Sequence, residues 1–246
     1  MKEIRFFYAP EAKETEELPK EEATHAIRVL RLQPGDEIFL MDGKGVFYRA
    51  EITVVTNKKC LYRIMESMRQ EPIWRGHIHL AIAPTKMMDR IEWMVEKAVE
   101  IGFDEISFLK CRFSERTRIR TDRVEKIVVS AVKQSHKAWM PAVNDMQDFK
   151  HFISQPHVGR KFICHCYEEI YKDDFFSLIT SQINNGVSEN DDIIVLVGPE
   201  GDFSIEEVRM AIDNGYQSVT LGKSRLRTET AGLQAVAMSN LARRIL

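Results

Sequence analysis

The chain has 246 residues, 44% hydrophobic and 29% charged, the makeup of an ordinary globular protein with room for one large domain or two smaller ones. No stretch approaches the roughly 18–20 apolar residues of a membrane span, and the first residues show no apolar secretory signal. Four scattered cysteines (Cys60, Cys111, Cys164, Cys166) make no disulfide framework and point to a reducing cytoplasm, and the net charge is only −2.

A helix is expected at 20–32, ended by Gln33, Pro34 and Gly35. Strands follow at 36–42, 46–55 and 60–65. The first two are joined by Asp42, Gly43, Lys44 and Gly45, because Asp-Gly tolerates the positive φ of a tight hairpin. Together they predict a small β-barrel, and the polar run 67–76, with Pro72, reads as a linker. From His77 onward strands and helices alternate. A strand at 78–83 precedes a helix with Ile91, Met94, Val95, Ala98 and Val99 on one face and Gly102 at its end. A strand at 105–110 and an amphipathic helix at 122–137 follow, then strands at 161–166, 193–197 and 218–221. Ser204 and Glu207 form a capping box that opens a helix at Ile205, and a last helix runs over 230–246. This alternation predicts a parallel sheet covered by helices.

Two glycine turns stand out. Val195, Leu196, Val197, Gly198, Pro199, Glu200 and Gly201 form one; Leu221, Gly222, Lys223, Ser224, Arg225, Leu226 and Arg227 form the other. Each follows a β-branched run and leads into a helix. Ligands of open α/β sheets sit outside the carboxyl ends of the strands, so the two turns propose one composite pocket. Charge is also concentrated. Residues 110–137 hold nine basic and three acidic side chains, a local net of +6, and 219–246 carry a net of +4. Local clusters of this kind suit a polyanion.

Further residues complete an ordered series: His25, Leu30 and Arg31; Gly35 and Asp36; Glu96, Lys97 and Ala98; Gln134 and Ser135; Thr228, Glu229, Thr230 and Ala231. With the two turns, this series resembles the bacterial 16S ribosomal RNA uridine-N3 methyltransferases of the SPOUT superfamily. The resemblance implies a PUA-like RNA-binding barrel at 1–70, a linker at 71–76 and a methyltransferase domain with a trefoil knot at 77–246. It also implies S-adenosylmethionine as cofactor, ribosomal RNA or the small ribosomal subunit as partner, and a homodimer. Asp202 departs from the pattern, standing where a second glycine is usual, as does the stretch Lys133, Gln134, Ser135 and His136.

Methyl transfer from a sulfonium donor needs positioning rather than a metal or a covalent nucleophile. The chain accordingly has no Walker loop, no His-Glu-x-x-His and no Gly-x-Ser-x-Gly. Leu196, Val197, Gly198, Pro199, Glu200, Gly201, Leu221, Gly222, Ser224, Leu226, Arg227 and Thr228 are the expected cofactor residues, the glycines allowing close backbone approach. Uridine N3 must lose a proton, for which Glu200 and Glu229 are the candidate carboxylates. Arg227 is the candidate for stabilising charge on the base. Three groups are expected at RNA: His25, Arg28 and Arg31; Arg112, Ser114 and Arg116; Gln134, Ser135 and Lys137, with Arg225 beside the cofactor turn. His77 and His79 share a strand face but lack a third metal ligand, and Cys164, His165 and Cys166 read as plain strand residues. Trp93 and Trp139 are candidates for a dimer face. Two alternatives stay open: a SPOUT methylase with another RNA target, and a non-catalytic RNA-binding module.

Overall fold

The computed structural model describes residues 5–181 and 192–244. Residues 1–4 of the expected first domain and 245–246 of the expected last helix lie outside that range. Contacts divide the chain into two compact units, 1–72 with 129–140 and 73–128 with 141–246.

In the first unit β1 (Phe6–Tyr8), β2 (Glu37–Met41), β3 (Val46–Val55) and β4 (Cys60–Arg69) form a sheet in that order, β1 parallel to β2 and the others antiparallel. The β2–β3 hairpin forms because Asp42 Oδ1 accepts from the amides of Lys44 and Val46 at 2.8 and 3.0 Å. Gly45, at φ +96°, lies under the Trp139 ring, which a Cβ there would approach to 2.3 Å. β4 runs four residues past the expected end, since Arg69 still pairs with Val46 although the apolar alternation has stopped. The expected first helix is α1 (Lys20–Thr24), continued by a π-helical turn, His25–Val29. Phe7, Leu18, Leu32, Ile38, Leu40, Tyr48, Ile52 and Tyr62 make the core.

Seven parallel strands build the second unit: β5 (Ile78–Ile82), β6 (Glu105–Lys110), β7 (Ala142–Asp148), β8 (Arg160–Cys164), β9 (Asp173–Asp174), β10 (Ile193–Val197) and β11 (Gln217–Thr220). Their order is β7-β6-β5-β10-β8-β11-β9, which seats β10 between β5 and β8, and β11 between β8 and β9. β5 and β10 are buried at every residue, as the strands of a sheet covered on both faces are; all are apolar except His79. The helices are α2 (Met88–Ile101), α3 (Thr121–Gln134), α4 (Phe149–Ser154), α5 (Phe175–Ser181), α6 (Ile205–Asp213) and α7 (Thr228–Arg243). α3 ends three residues before the expected 137, and His136 turns into the left-handed region at φ 51°. Its last turn belongs to the first unit, where Lys133 Nζ sits 2.7 Å from both Glu22 oxygens. α7 lies close on β5: a Cβ at Gly232 would stand 2.9 Å from Ile82 Cδ1. α6 begins with both bonds of the expected capping box, Glu207 N to Ser204 Oγ and Ser204 N to Glu207 Oε2.

Candidate functional site

Three strands end at one level. Val197 of β10 and Val219 of β11 both stand opposite Cys164 of β8, so the two glycine turns leave the sheet on either side of the end of β8. The first turn folds back tightly. The Asp202 amide donates to the Pro199 carbonyl at 2.9 Å, and a Cβ at Gly198 would lie 2.9 Å from the Phe203 nitrogen. Asp202 sits at φ 64°, a region that glycine enters freely and aspartate tolerates. Its carboxylate adds what a glycine lacks, Oδ1 accepting from the Phe203 amide and Oδ2 from the Cys166 amide, both at 2.8 Å.

That last bond ties the turn after β10 to the turn after β8. Tyr167 adds a second tie, its hydroxyl donating to the Phe203 carbonyl at 2.8 Å. His165 Nε2 lies 2.7 Å from Ser218 Oγ and fastens the end of β8 to β11. Residues 164–167 therefore form the clasp between the two turns, a role no spacing motif announces. Burial raises the Cys164 thiol pKa far above its ordinary value and lowers that of His165. Leu196, Val197, Gly198, Pro199 and Leu221 are buried and Leu226 half-buried, while Gly201, Gly222 and Ser224 are exposed. Gly222, at φ +132°, has nothing within 4 Å of the place a Cβ would take, which leaves room for a ligand against bare backbone.

Beside the second turn, a cleft of about 360 Å³ opens between the first turns of α2 and α7. Asp89, Arg90, Trp93, Arg227, Glu229 and Thr230 line it. Arg227 is exposed and Thr228 buried. Glu229 is only 7% exposed. Its Oε1 lies 3.8 Å from Arg90 Nη1, and its Oε2 has no hydrogen-bond partner among the described residues. An unpaired buried polar atom costs roughly 1–3 kcal/mol, which a donor brought to this oxygen would offset. Glu200 differs sharply: it is exposed, and its Oε2 accepts from the Lys86 amide at 3.1 Å. Its carboxylate anchors the first turn to the loop between β5 and α2.

The candidate RNA residues fall into two groups, each within one unit. In the second unit, Arg116 donates to the carbonyls of Thr85 and Lys86 at 3.1 and 2.5 Å, which shapes the loop before α2. Ser114 Oγ accepts from the Cys111 amide at 2.9 Å and closes a local turn. Arg112 is exposed, 3.4 Å from Glu206 and over the Phe113 ring. Arg225 is exposed and acts electrostatically on the Cys166 thiol, which puts it near the clasp. In the first unit His25, Arg28 and Arg31 are exposed, Arg31 at φ 53° beyond the helical turn. Lys133 Nζ lies over the Phe7 ring and His25 stands 6.2 Å from that ring, so residues 25–31 neighbour the end of α3. There Gln134 is exposed, Ser135 Oγ donates to the Ala131 carbonyl, and burial lowers the Lys137 pKa.

At the amino ends of the strands the polar groups satisfy one another. His77 Nε2 meets Glu105 Oε2 at 2.8 Å, and Asn144 Nδ2 donates to Glu105 Oε1 and Ser107 Oγ. His79 Nε2 stands 2.8 Å from the same Ser107 Oγ. Burial holds His79 down at about 4, the His77 hydrogen bond holds Glu105 at about 2, and Glu105 raises His77. Among the described residues no group of three His, Cys, Asp or Glu side chains is arranged to hold a metal, and no helix is long and apolar enough to cross a membrane.

One chain thus carries a parallel α/β unit with two glycine turns at the carboxyl ends of its strands and a β-rich unit with exposed basic residues. The family model described as an RNA methyltransferase domain matches residues 72–240, and that of an RNA methyltransferase PUA domain matches 18–65. The chain belongs to this RNA methyltransferase family. It is 40% identical to a Porphyromonas gingivalis structure described as a probable rRNA-methyltransferase, covering 95% of both chains with a TM-score of 0.83. It is 29% identical to ribosomal RNA small subunit methyltransferase E from Neisseria gonorrhoeae, solved bound to S-adenosyl methionine, covering 96% of both chains with a TM-score of 0.80. The Bacillus subtilis protein of the same name is 27% identical, over 95% of this chain and 94% of that protein.

Proposed function

We propose that this protein transfers a methyl group from S-adenosylmethionine to N3 of a uridine in 16S ribosomal RNA, as a cytoplasmic homodimer. The observation that carries the reading is the buried Oε2 of Glu229, unpartnered among the described residues, in a cleft shared with Arg227. The name of the Bacillus subtilis relative and the ligand of the Neisseria gonorrhoeae one support the RNA and the cofactor.

The bare backbone at Gly222 and the clasped turns fit an adenosyl amino acid. Leu196, Val197, Gly198, Pro199, Gly201, Leu221, Gly222, Ser224, Leu226 and Thr228 would hold it. When bound, S-adenosylmethionine supplies a methyl carbon that bonds to the acceptor nitrogen while its sulfur keeps the electron pair of the broken bond. Glu229 takes the N3 proton on its unpaired carboxylate oxygen. Arg227 stabilises the negative charge that spreads onto the base oxygens. Glu200 acts at one remove, holding the first turn against the loop before α2. His25, Arg28, Arg31, Gln134, Ser135 and Lys137 serve as one RNA contact surface and Arg112 and Arg225 as another, with Ser114 and Arg116 shaping the loop that presents Arg112. In this reading residues 1–70 are the RNA-recognition domain, 71–76 the linker and 77–246 the transferase domain, knotted as the resemblance implies.

The test is transfer of labelled methyl groups to small ribosomal subunits and to free 16S RNA, followed by digestion to nucleosides and mass spectrometry. Label in 3-methyluridine is expected. Label in another nucleoside, or none with either substrate, overturns the reading.

A further inference from the structure

We infer that His165 is a positioning residue for the cofactor: its neutral ring, with the proton on Nε2, holds the two glycine turns in their binding arrangement, and a proton added at Nδ1 releases them. The inference rests on the cofactor lying between those turns and goes beyond it by making binding there depend on one histidine.

The bonds of the ring fix its tautomer. The Tyr167 amide donates to Nδ1 at 3.2 Å, so that nitrogen must carry a lone pair. The ring proton therefore sits on Nε2, which donates to Ser218 Oγ at 2.7 Å. Each bond leads to one of the turns. Ser218 lies on β11, which runs directly into the second turn at Leu221. Tyr167 reaches the first turn, where its hydroxyl donates to the Phe203 carbonyl at 2.8 Å. One imidazole, only 7% exposed, thus stands between the two.

Protonation breaks one of these bonds and spares the other. Nε2 keeps its hydrogen and its bond to Ser218, whereas Nδ1 gains a hydrogen aimed at the Tyr167 N–H. Two donors then face each other in a buried place, and the turn at 165–167 must open to separate them.

The charged groups around the ring come from several elements. Lys172, whose ammonium donates to the Tyr167 carbonyl, opposes a charged ring. Asp202 of the first turn and Glu169 favour one, but Asp202 already accepts from the Cys166 and Phe203 amides. Arg225 of the second turn acts on the Cys166 thiol. Burial outweighs the two acids, and the ring titrates below its ordinary 6.5. Cys164, Cys166 and Tyr167 are raised by burial and stay neutral as pH falls. The clasp is therefore complete above pH 6.5 and is lost as pH falls through the lowered value of His165.

The test is calorimetric titration of S-adenosylhomocysteine into the full-length protein from about pH 7.5 to about pH 5, with folding followed by circular dichroism. The wild-type Kd should rise at least about 3-fold over that range, steepening toward about 10-fold per pH unit. At the acid end binding should release protons, read from the dependence of the heat on the ionisation enthalpy of the buffer. His165→Asn keeps an acceptor for the Tyr167 amide and cannot be protonated, so its profile should be flat, with affinity at neutral pH within about 5-fold of wild type. His165→Gln, which keeps a donor toward Ser218, should be flat as well. His77→Gln and His79→Gln, at the amino ends of the strands, should keep the wild-type profile. Any titration of the ligand is common to all these proteins and cancels in the comparison.

A wild type whose affinity is flat and whose binding releases no proton would overturn the inference, and that result needs no variant to fold. So would an acid limb that survives in His165→Asn. A folded wild type that binds the ligand at no pH would instead defeat the placement of the cofactor between the turns, and the role of His165 with it.

Discussion

Both ends of the seven-stranded sheet gather polar side chains, and they use them in opposite ways. At the amino ends His77, His79, Glu105, Ser107 and Asn144 close on one another in a continuous set of hydrogen bonds. Among the described residues, at the carboxyl ends Gly222 faces open space, Trp93 is half exposed and Glu229 keeps a buried oxygen unpartnered. In the sequence the histidines are a pair on one strand face that lacks a third metal ligand. Their satisfied bonds make them a fastening, since a closed polar network rigidifies what it joins. The open end is where local stability has been given up, as functional sites require.

The contrast predicts what each end does when altered. Glu229→Gln should lower methyl transfer about 10²–10⁴-fold with S-adenosylmethionine affinity retained, measured by single-turnover labelling beside calorimetry. Gly198→Val forces a side chain to within 2.9 Å of the Phe203 backbone, so the clasped turn must shift. Turnover should fall about 100-fold, and here cofactor binding should fall with it.

At the closed end the expected effect is on stability alone. His79 is held at about 4 by burial against its ordinary 6.5, so its contribution is complete above pH 6.5 and lost as pH falls toward 4. Glu105, held at about 2 against 4.5, loses its contribution only below pH 4.5. His77 is raised, so its contribution is present below pH 6.5 and lost as pH rises through its shifted value. Stability from this cluster therefore peaks near pH 6.5, and urea unfolding should show a loss on the order of 1–3 kcal/mol by pH 4. His79→Gln should flatten that acid limb and leave turnover at neutral pH unchanged. The smallest change is expected for Asp202→Gly, which removes the acceptor for the Cys166 amide but relieves a left-handed φ. The net stability change should be within about 1 kcal/mol by thermal unfolding.

Much of the second unit was legible because β10 is apolar throughout and β5 at every residue but His79, and the glycine turns and capping box are punctuated by residues with few other uses. The edge strands β7 and β9 were not. No residue of β7 is fully buried, so Ala142–Asp148 carries neither alternation nor an apolar run. The short helices α4 and α5 lacked the length for periodicity to show. Packing of 129–140 into the first unit brings Lys133 to Glu22, over a hundred residues away in sequence, and Trp139 to Gly45, and no local pattern records either meeting. Within the site, sequence offered Glu200 and Glu229 as equals. Burial separates them, and burial is set by α7 lying against α2 and β5.

The most direct measurement is calorimetric titration of S-adenosylmethionine into the wild-type, Gly198→Val and His79→Gln proteins. Saturable binding is expected in the wild type and, with the same affinity, in His79→Gln, and its loss in Gly198→Val. A folded wild-type protein that binds nothing, or equal losses in the two variants, would contradict the assignment of the cofactor to the carboxyl ends of the sheet.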